Sequence, residues 1–206
     1  MPKAYWLSLR NQIHDPEQMK VYADLAGPAI HDGGGKFLAR GGRTKSLEGF
    51  EQSRVVIIEF PDFDAALGTY TSAAYQHALK PVKAGAVSRN VFVTEGVEEL
   101  APRGETAGPV AFWVGAHMVI HDADKMAAYA AKATAAMQHA GGRFLSRAGR
   151  TQTLEGFEQT RVAIGEHLDW EAATGFYDSP HYAEARIALD GGVTRDICIT
   201  EALEDV

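Results

Sequence analysis

Much of this chain is written twice, once in each half. The segment Gly34-Gly35-Lys36-Phe37-Leu38-Ala39-Arg40-Gly41-Gly42-Arg43-Thr44 returns as Gly141-Gly142-Arg143-Phe144-Leu145-Ser146-Arg147-Ala148-Gly149-Arg150-Thr151. Leu47-Glu48-Gly49-Phe50-Glu51-Gln52 returns as Leu154-Glu155-Gly156-Phe157-Glu158-Gln159. From Gly34 to Glu59 roughly 18 of about 26 positions are identical, at a spacing of about 107 residues. Weaker matches extend outward, among them Tyr5-Trp6 with Phe112-Trp113, Tyr22 with Tyr129, Tyr70 with Tyr177 and Tyr75 with Tyr182. A period of that length is a whole domain, which excludes a short-repeat solenoid and requires a fold that about a hundred residues can adopt.

Composition narrows the classes. A 46% hydrophobic, 23% charged chain of 206 residues can build a core in each copy. No stretch approaches the roughly 20 apolar residues that cross a bilayer. Met1-Pro2-Lys3-Ala4-Tyr5-Trp6 lacks the basic flank and long apolar run of a signal peptide. Cys198 is the single cysteine and has no internal partner, so a reducing cytoplasm is the expected location. The net charge of −7 argues against nucleic acid or an anionic membrane as partner.

The Pro-, Gly- and charge-rich stretch 98–109 reads as a linker between a first repeat, 1–97, and a second, 110–206. Each repeat reads β-α-β-β-α-β. Tyr5 to Asn11 alternates as a half-buried strand does. Asp15-Pro16-Glu17 is a helix start, and Tyr22, Leu25, Ala26, Ala29 and Ile30 follow at helical spacing. Phe37 to Arg40 and Arg54 to Phe60 are expected to pair antiparallel across a longer glycine-containing connection. Asp62 or Asp64 caps the next helix, Ser72 starts a further helical piece, and Arg89 to Thr94 is the last strand. That order is the ferredoxin-like plan, an α+β unit with two helices on one sheet face. The other face needs cover, and a second sheet supplied in the same chain gives it. The expected architecture is two ferredoxin-like βαββαβ repeats packed sheet to sheet as a pseudo-dimeric α/β barrel. The alternative holds the copies apart, each pairing with another chain. A homodimer of the whole chain is compatible with both.

Gly34 to Gly42, the Leu47-Glu48-Gly49 turn, the Val55 to Pro61 strand ending in Glu59-Phe60-Pro61, and the Tyr70-x-Ser72-x-x-Tyr75 helix together resemble the small bacterial family catalogued as domain of unknown function 1330. The resemblance covers nearly the whole chain, once per copy. It implies the dimeric α/β-barrel superfamily, whose members include oxygenases, isomerases, haem enzymes and non-catalytic proteins, so it implies no one activity. The second copy departs from the pattern, with His167-Leu168 in place of Phe60-Pro61 and Gly165 in place of Ile58.

Strand alternation assigns faces. Tyr5, Leu7 and Leu9 are expected beneath the helices, while Trp6, Ser8 and Arg10 face the opposite sheet, as do Trp113, Gly115 and His117. Arg40 and Glu59, with Arg147 and Glu166, are expected to share that second face. There a guanidinium would orient an anionic or carbonyl substrate and a glutamate would act as acid or base. Trp6, Arg10, Tyr70, Trp113, His117 and Tyr177 are the candidate ligand contacts. The bland counterpart of each is an internal ion pair, barrel core or helix seam, and a one-residue slip would invert the faces. Arg43 and Glu48, with Arg150 and Glu155, lie on the connection, as binding residues or as makers of a turn.

The remaining motifs exclude more than they assign. His117 and His121 are about 13 Å apart on a strand, too far to share an ion. There is no His-Glu-x-x-His, no Cys pair, no phosphate-binding glycine template and no Gly-x-Ser-x-Gly elbow. Neither metal nor cofactor is expected, and Cys198 reads as a small core residue. Two classes stay open: a small-molecule-binding protein, enzymatic without a cofactor through an Arg/Glu pair, or a non-catalytic module whose cleft its own side chains fill.

Overall fold

A computed structural model describes residues 1–105 and 109–204, with the side chains of Arg10 and Asn11 left out. The first half runs β1 (Ala4–Ile13), α1 (Pro16–Asp32), β2 (Lys36–Arg40), β3 (Thr44–Glu48), β4 (Val56–Phe60), α2 (Phe63–Thr71), α3 (Ala73–Ala78), α4 (Lys80–Lys83) and β5 (Val87–Glu95). The second runs β6 (Ala111–Ile120), α5 (Ala123–His139), β7 (Arg143–Arg147), β8 (Thr151–Glu155), β9 (Arg161–His167), α6 (Trp170–Asp178), α7 (Pro180–Leu189) and β10 (Val193–Glu201).

Helix starts lie where the caps predict them. The Asp15 carboxylate accepts from the Gln18 amide, Asp62 from Ala65 and Ser72 from Tyr75, and Asp122, Asp169 and Ser179 do the same in the second half. Ala26, Ala29 and Ile30 of α1 face the sheet, whereas Leu25, read as part of that stripe, is 41% exposed.

The connection between β2 and β4 is not a plain loop. It carries β3, which leaves its own half and adds to the far edge of the other sheet. One sheet has the order β2-β4-β1-β5-β8 and the other β3-β10-β6-β9-β7, so each half lends the other its fifth strand. β3 pairs antiparallel with β10, and β8 with β5. Its pairing surface is the sibling's edge, so no local pattern marks β3 as a strand. Gly49 and Gly156 end the lent strands at φ of +79° and +84°, where a side chain would be strained. A Cβ there would also collide with Asp196 or Asn90, whose side chains accept the next amide, Phe50 or Phe157, at 3.0 and 2.8 Å.

The two sheets pack face to face over Tyr5, Leu7, Leu9, Ile57 and Phe92 from one and Phe112, Val114, Ala116, Ile164 and Cys198 from the other. The alternation on β1 and β6 was therefore read correctly and its faces inverted. Trp6 packs under the helices with Ala26, Ile30 and Tyr75, and Trp113 under theirs with Met137 and Tyr182. The physical reason is dryness. A face covered along its whole length by another sheet takes aliphatic and aromatic residues, whereas a helix can stand off its sheet and leave room for polar groups.

Candidate functional site

That room exists in the first half. Between α1 and the sheet lies a cavity of about 300 Å³, lined by Trp6 from β1, Tyr22 and Ile30 from α1, Phe37 from β2, Ile58 from β4, Tyr75 from α3 and Arg89 from β5. Trp6 is fixed by aromatic neighbours, with ring centroids 5.9 Å from Phe60, 5.5 Å from Tyr70 and 5.0 Å from Tyr75. The buried end is polar. The Arg89 Nη1 donates to the Tyr22 phenol at 2.8 Å, and the Tyr22 and Tyr75 hydroxyls bond each other at 2.8 Å. The shallow end carries Lys20, Arg40 and Arg54, and among the described residues lining the cavity there is no carboxylate.

Arg89 is held from the other half of the chain. Its Nε and Nη2 donate to both Glu155 carboxylate oxygens at 2.9 and 2.8 Å, and the Tyr70 hydroxyl donates to Glu155 at 3.3 Å. Glu155 is the last residue of the lent strand β8. Burial works against the Arg89 charge, yet Tyr22, Glu155 and Tyr75 outweigh it and hold the guanidinium protonated more firmly than usual. Burial, then the Glu155 charge, pushes the Tyr70 phenol up to about 12. Burial, with Tyr22 beside it, keeps Tyr75 protonated well above the usual phenol range.

The second half repeats the lattice without the space. Arg195 forks onto Glu48 of the lent strand β3 at 2.7 and 2.8 Å, Tyr177 donates to Glu48 at 2.9 Å, and the Tyr129 and Tyr182 hydroxyls bond at 2.7 Å. The corresponding cavity is only about 20 Å³. Phe176 stands where the first half has Thr69, packs on Tyr182 at 4.6 Å and lines this small space. Trp113 lies instead across Gly115, whose Cβ would come within 2.7 Å of the indole Cη2, and the first half has Ser8 at that position. Met137, in place of Ile30, fills the gap over Gly165, where the first half has Ile58. Arg195 Nη1, His117 Nε2 and Trp113 Nε1 are buried without a hydrogen-bond partner among the described residues.

The candidate residues separate. Arg40 and Glu59 do not meet: Glu59 pairs across the sheet with Lys36, and Arg40 four residues on with Val56. Glu59 accepts from Lys3 at 2.6 Å, whereas the Arg40 guanidinium lies 4.4 Å over the Phe37 ring. Arg147 and Glu166 are likewise apart, because Glu166 is forked by Arg143 at 3.0 and 3.2 Å and Arg147 lies over Phe144. The expected Arg/Glu pair in an inter-sheet cleft is thus corrected: alternate registers on β2 and β7 send the partners to different neighbours. Trp6 and Arg40 line the cavity, Tyr70 and Tyr177 hold the lent glutamates, and Trp113 and His117 border the filled cavity. The Arg10 side chain lies outside the described residues. Burial, then Arg195 and Arg161, drives His117 down to about 3, so it is neutral at ordinary pH. Sequence reasoning missed Tyr22 and Arg89 as cavity residues and Glu155 as the partner of Arg89. The available signal was their joint recurrence as Tyr129, Arg195 and Glu48. Among the described residues no group of three or more His, Cys, Asp or Glu is placed to hold a metal, and no helix is long and apolar enough to cross a membrane.

Residues 3–97 and again 110–203 match the family described as domain of unknown function 1330. No curated protein matches the chain. Solved structures similar over nearly its whole length include a candidate monooxygenase from Lactobacillus acidophilus NCFM, 15% identical, covering 100% of this chain and 95% of that one at a TM-score of 0.51. An anthrone oxidase-like protein is 10% identical, with 99% and 92% covered and a TM-score of 0.58. A chlorite dismutase variant from Candidatus Nitrospira defluvii is 8% identical, with 97% and 90% covered and a TM-score of 0.52. At these identities the likeness is one of fold, the dimeric α/β barrel.

Proposed function

Because the chain belongs, once in each half, to the domain of unknown function 1330 family, whose name assigns no reaction, we propose from the site alone that it binds a small molecule beneath α1 of the first half. The second half acts as a filled, structural partner. The observation that carries this reading is the contrast between about 300 Å³ and about 20 Å³ at equivalent places in two copies of one sequence. The larger volume is within the range of ligand pockets, and it joins an apolar body to a few convergent polar groups.

The chemistry the buried end supplies is donation to oxygen. Tyr22 and Tyr75 carry two phenolic hydrogens, and one of them makes the bond between the hydroxyls. Arg89 already donates to Tyr22, so the second phenolic hydrogen has no acceptor among the described residues. A protonated phenol held in place before the ligand arrives orients the ligand by donating to its hydroxyl or carbonyl oxygen. Arg40 and Glu59 are no acid–base pair in this reading, since they lie at different neighbours. The non-catalytic alternative applies to the second half, where Trp113, Met137 and Phe176 occupy the space.

The test is a thermal-shift screen of small aromatic acids, phenols and ketones on the parent protein and on Ala26→Leu and Ala23→Leu, which add carbon to the cavity wall. The expected result is stabilisation of the parent by some members and its loss in both variants, with the variants folded. A shift that persists in both variants would place binding elsewhere and overturn the reading.

A further inference from the structure

The cavity has two ends of different electrical character, and we infer from them the class of its ligand: a flat, largely apolar acid with a hydroxyl or carbonyl oxygen at the end opposite its acidic group. This rests on the proposed binding role of the cavity and adds the identity of what enters.

The buried end is electrically balanced. Among the described residues the only cation there is Arg89, which is matched by both oxygens of Glu155. An anion arriving at that end would lose its hydration for a site whose positive charge is already spoken for. What the end offers is the one phenolic hydrogen of the Tyr22–Tyr75 pair that has no acceptor among the described residues, which suits a neutral oxygen acceptor. The shallow end is the reverse. The side chains of Lys20 and Arg40 are exposed and have no hydrogen bond or ion pair among the described residues, and Arg54, whose Nη2 donates to the Arg40 carbonyl at 3.4 Å, stands with them in the lining. Arg40 reaches across the mouth: a Cβ on Gly27 of α1 would lie 3.5 Å from its Nη2, while its Cζ rests 4.4 Å over Phe37. Glu51 lines the open groove next door, which shares Ile13 and Arg54 with the cavity. The mouth thus presents cations to an incoming acid, and a planar guanidinium receives a carboxylate through two parallel bonds. Between the ends the walls are Trp6, Ile30, Phe37, Val56 and Ile58, which select an apolar body.

Three probes separate the ends: 6-hydroxy-2-naphthoate, which has both groups, 2-naphthoate, which has only the acid, and 2-naphthol, which has only the hydroxyl. Their affinities would be measured by calorimetric titration of the full chain and its Lys20→Gln/Arg40→Gln double variant. The expected result is that 6-hydroxy-2-naphthoate binds tightest. The double variant weakens the two acids roughly tenfold and leaves 2-naphthol unchanged. Equal binding of all three, or indifference of the acids to the double variant, would overturn the ligand class while leaving the cavity a binding site. Failure of every probe to bind would overturn the cavity reading as well.

Discussion

His167→Phe should make the protein more stable and markedly less sensitive to acid. His167 is 2% exposed, and neither of its ring nitrogens has a hydrogen-bond partner among the described residues. Burial drives its pKa down to about 4, with Asp169 opposing weakly. His117, at about 3, behaves alike. An imidazole with a folded pKa below its unfolded value of about 6.5 binds protons less readily in the fold than in the unfolded chain. Its stabilisation is therefore complete above about pH 6.5 and is lost as the pH falls toward the folded pKa. At pH 5 linkage gives a loss of about 2 kcal/mol for each histidine, and at pH 7.5 almost none. For a chain of this size 1 kcal/mol moves Tm by about 2–4 °C. The two histidines together should lower Tm by about 8–16 °C between pH 7.5 and pH 5, and His167→Phe should remove about half of that. The replacement fits because the first half has Phe60 at this position, 1% exposed and against Gly35 as His167 is against Gly142. Removing two unsatisfied nitrogens should add about 1–3 kcal/mol at pH 7.5. Urea unfolding of both proteins from pH 7.5 to pH 5 measures this. Equal losses of stability in parent and variant across that range would refute the account of His167 as a buried neutral ring.

Glu155→Ala should cost about 3 kcal/mol, the lower end for removing one partner of a buried ion pair, because Arg89 is 5% exposed and Glu155 17%. In a cycle with Arg89→Ala the double variant should lose less than the sum, and simple additivity would show that the fork does not hold the lent strand. Cys198 is fully buried in the inter-sheet core and burial pushes its thiol well above the usual range, so a disulfide reagent at pH 8 should label it only as fast as the protein unfolds. Rapid labelling of the native protein would contradict the sheet-to-sheet packing.

The fold was legible wherever the signal was local. Asp15, Asp62 and Ser72 announced their helices because capping is a matter of adjacent residues, and the alternation of β1 is a period-two pattern. What failed was relational. Tyr5 and Trp6 are equally buried, at 2%, so hydrophobicity alone cannot say which face meets a helix and which a sheet. Thr44–Glu48 becomes a strand only because β10 offers an edge, information that lies about 150 residues away in the chain. The site suffered most from this. Arg40 was legible as a cation near a cavity, but its supposed partner Glu59 depended on a register that sequence does not contain. Arg89 and Glu155, separated by 66 positions, meet through the exchanged strand alone.

Exchange of an edge strand between two identical subunits would bind them to one fate, since any substitution would appear in both pockets and both arms at once. Joining the subunits head to tail lifts that obligation. Phe176 and Met137 can close one chamber while Thr69 and Ile30 leave its twin open, and Glu155 still reaches across from the closed side to steady Arg89 in the open one. A half that has given up its own hollow thereby remains indispensable to its sibling's.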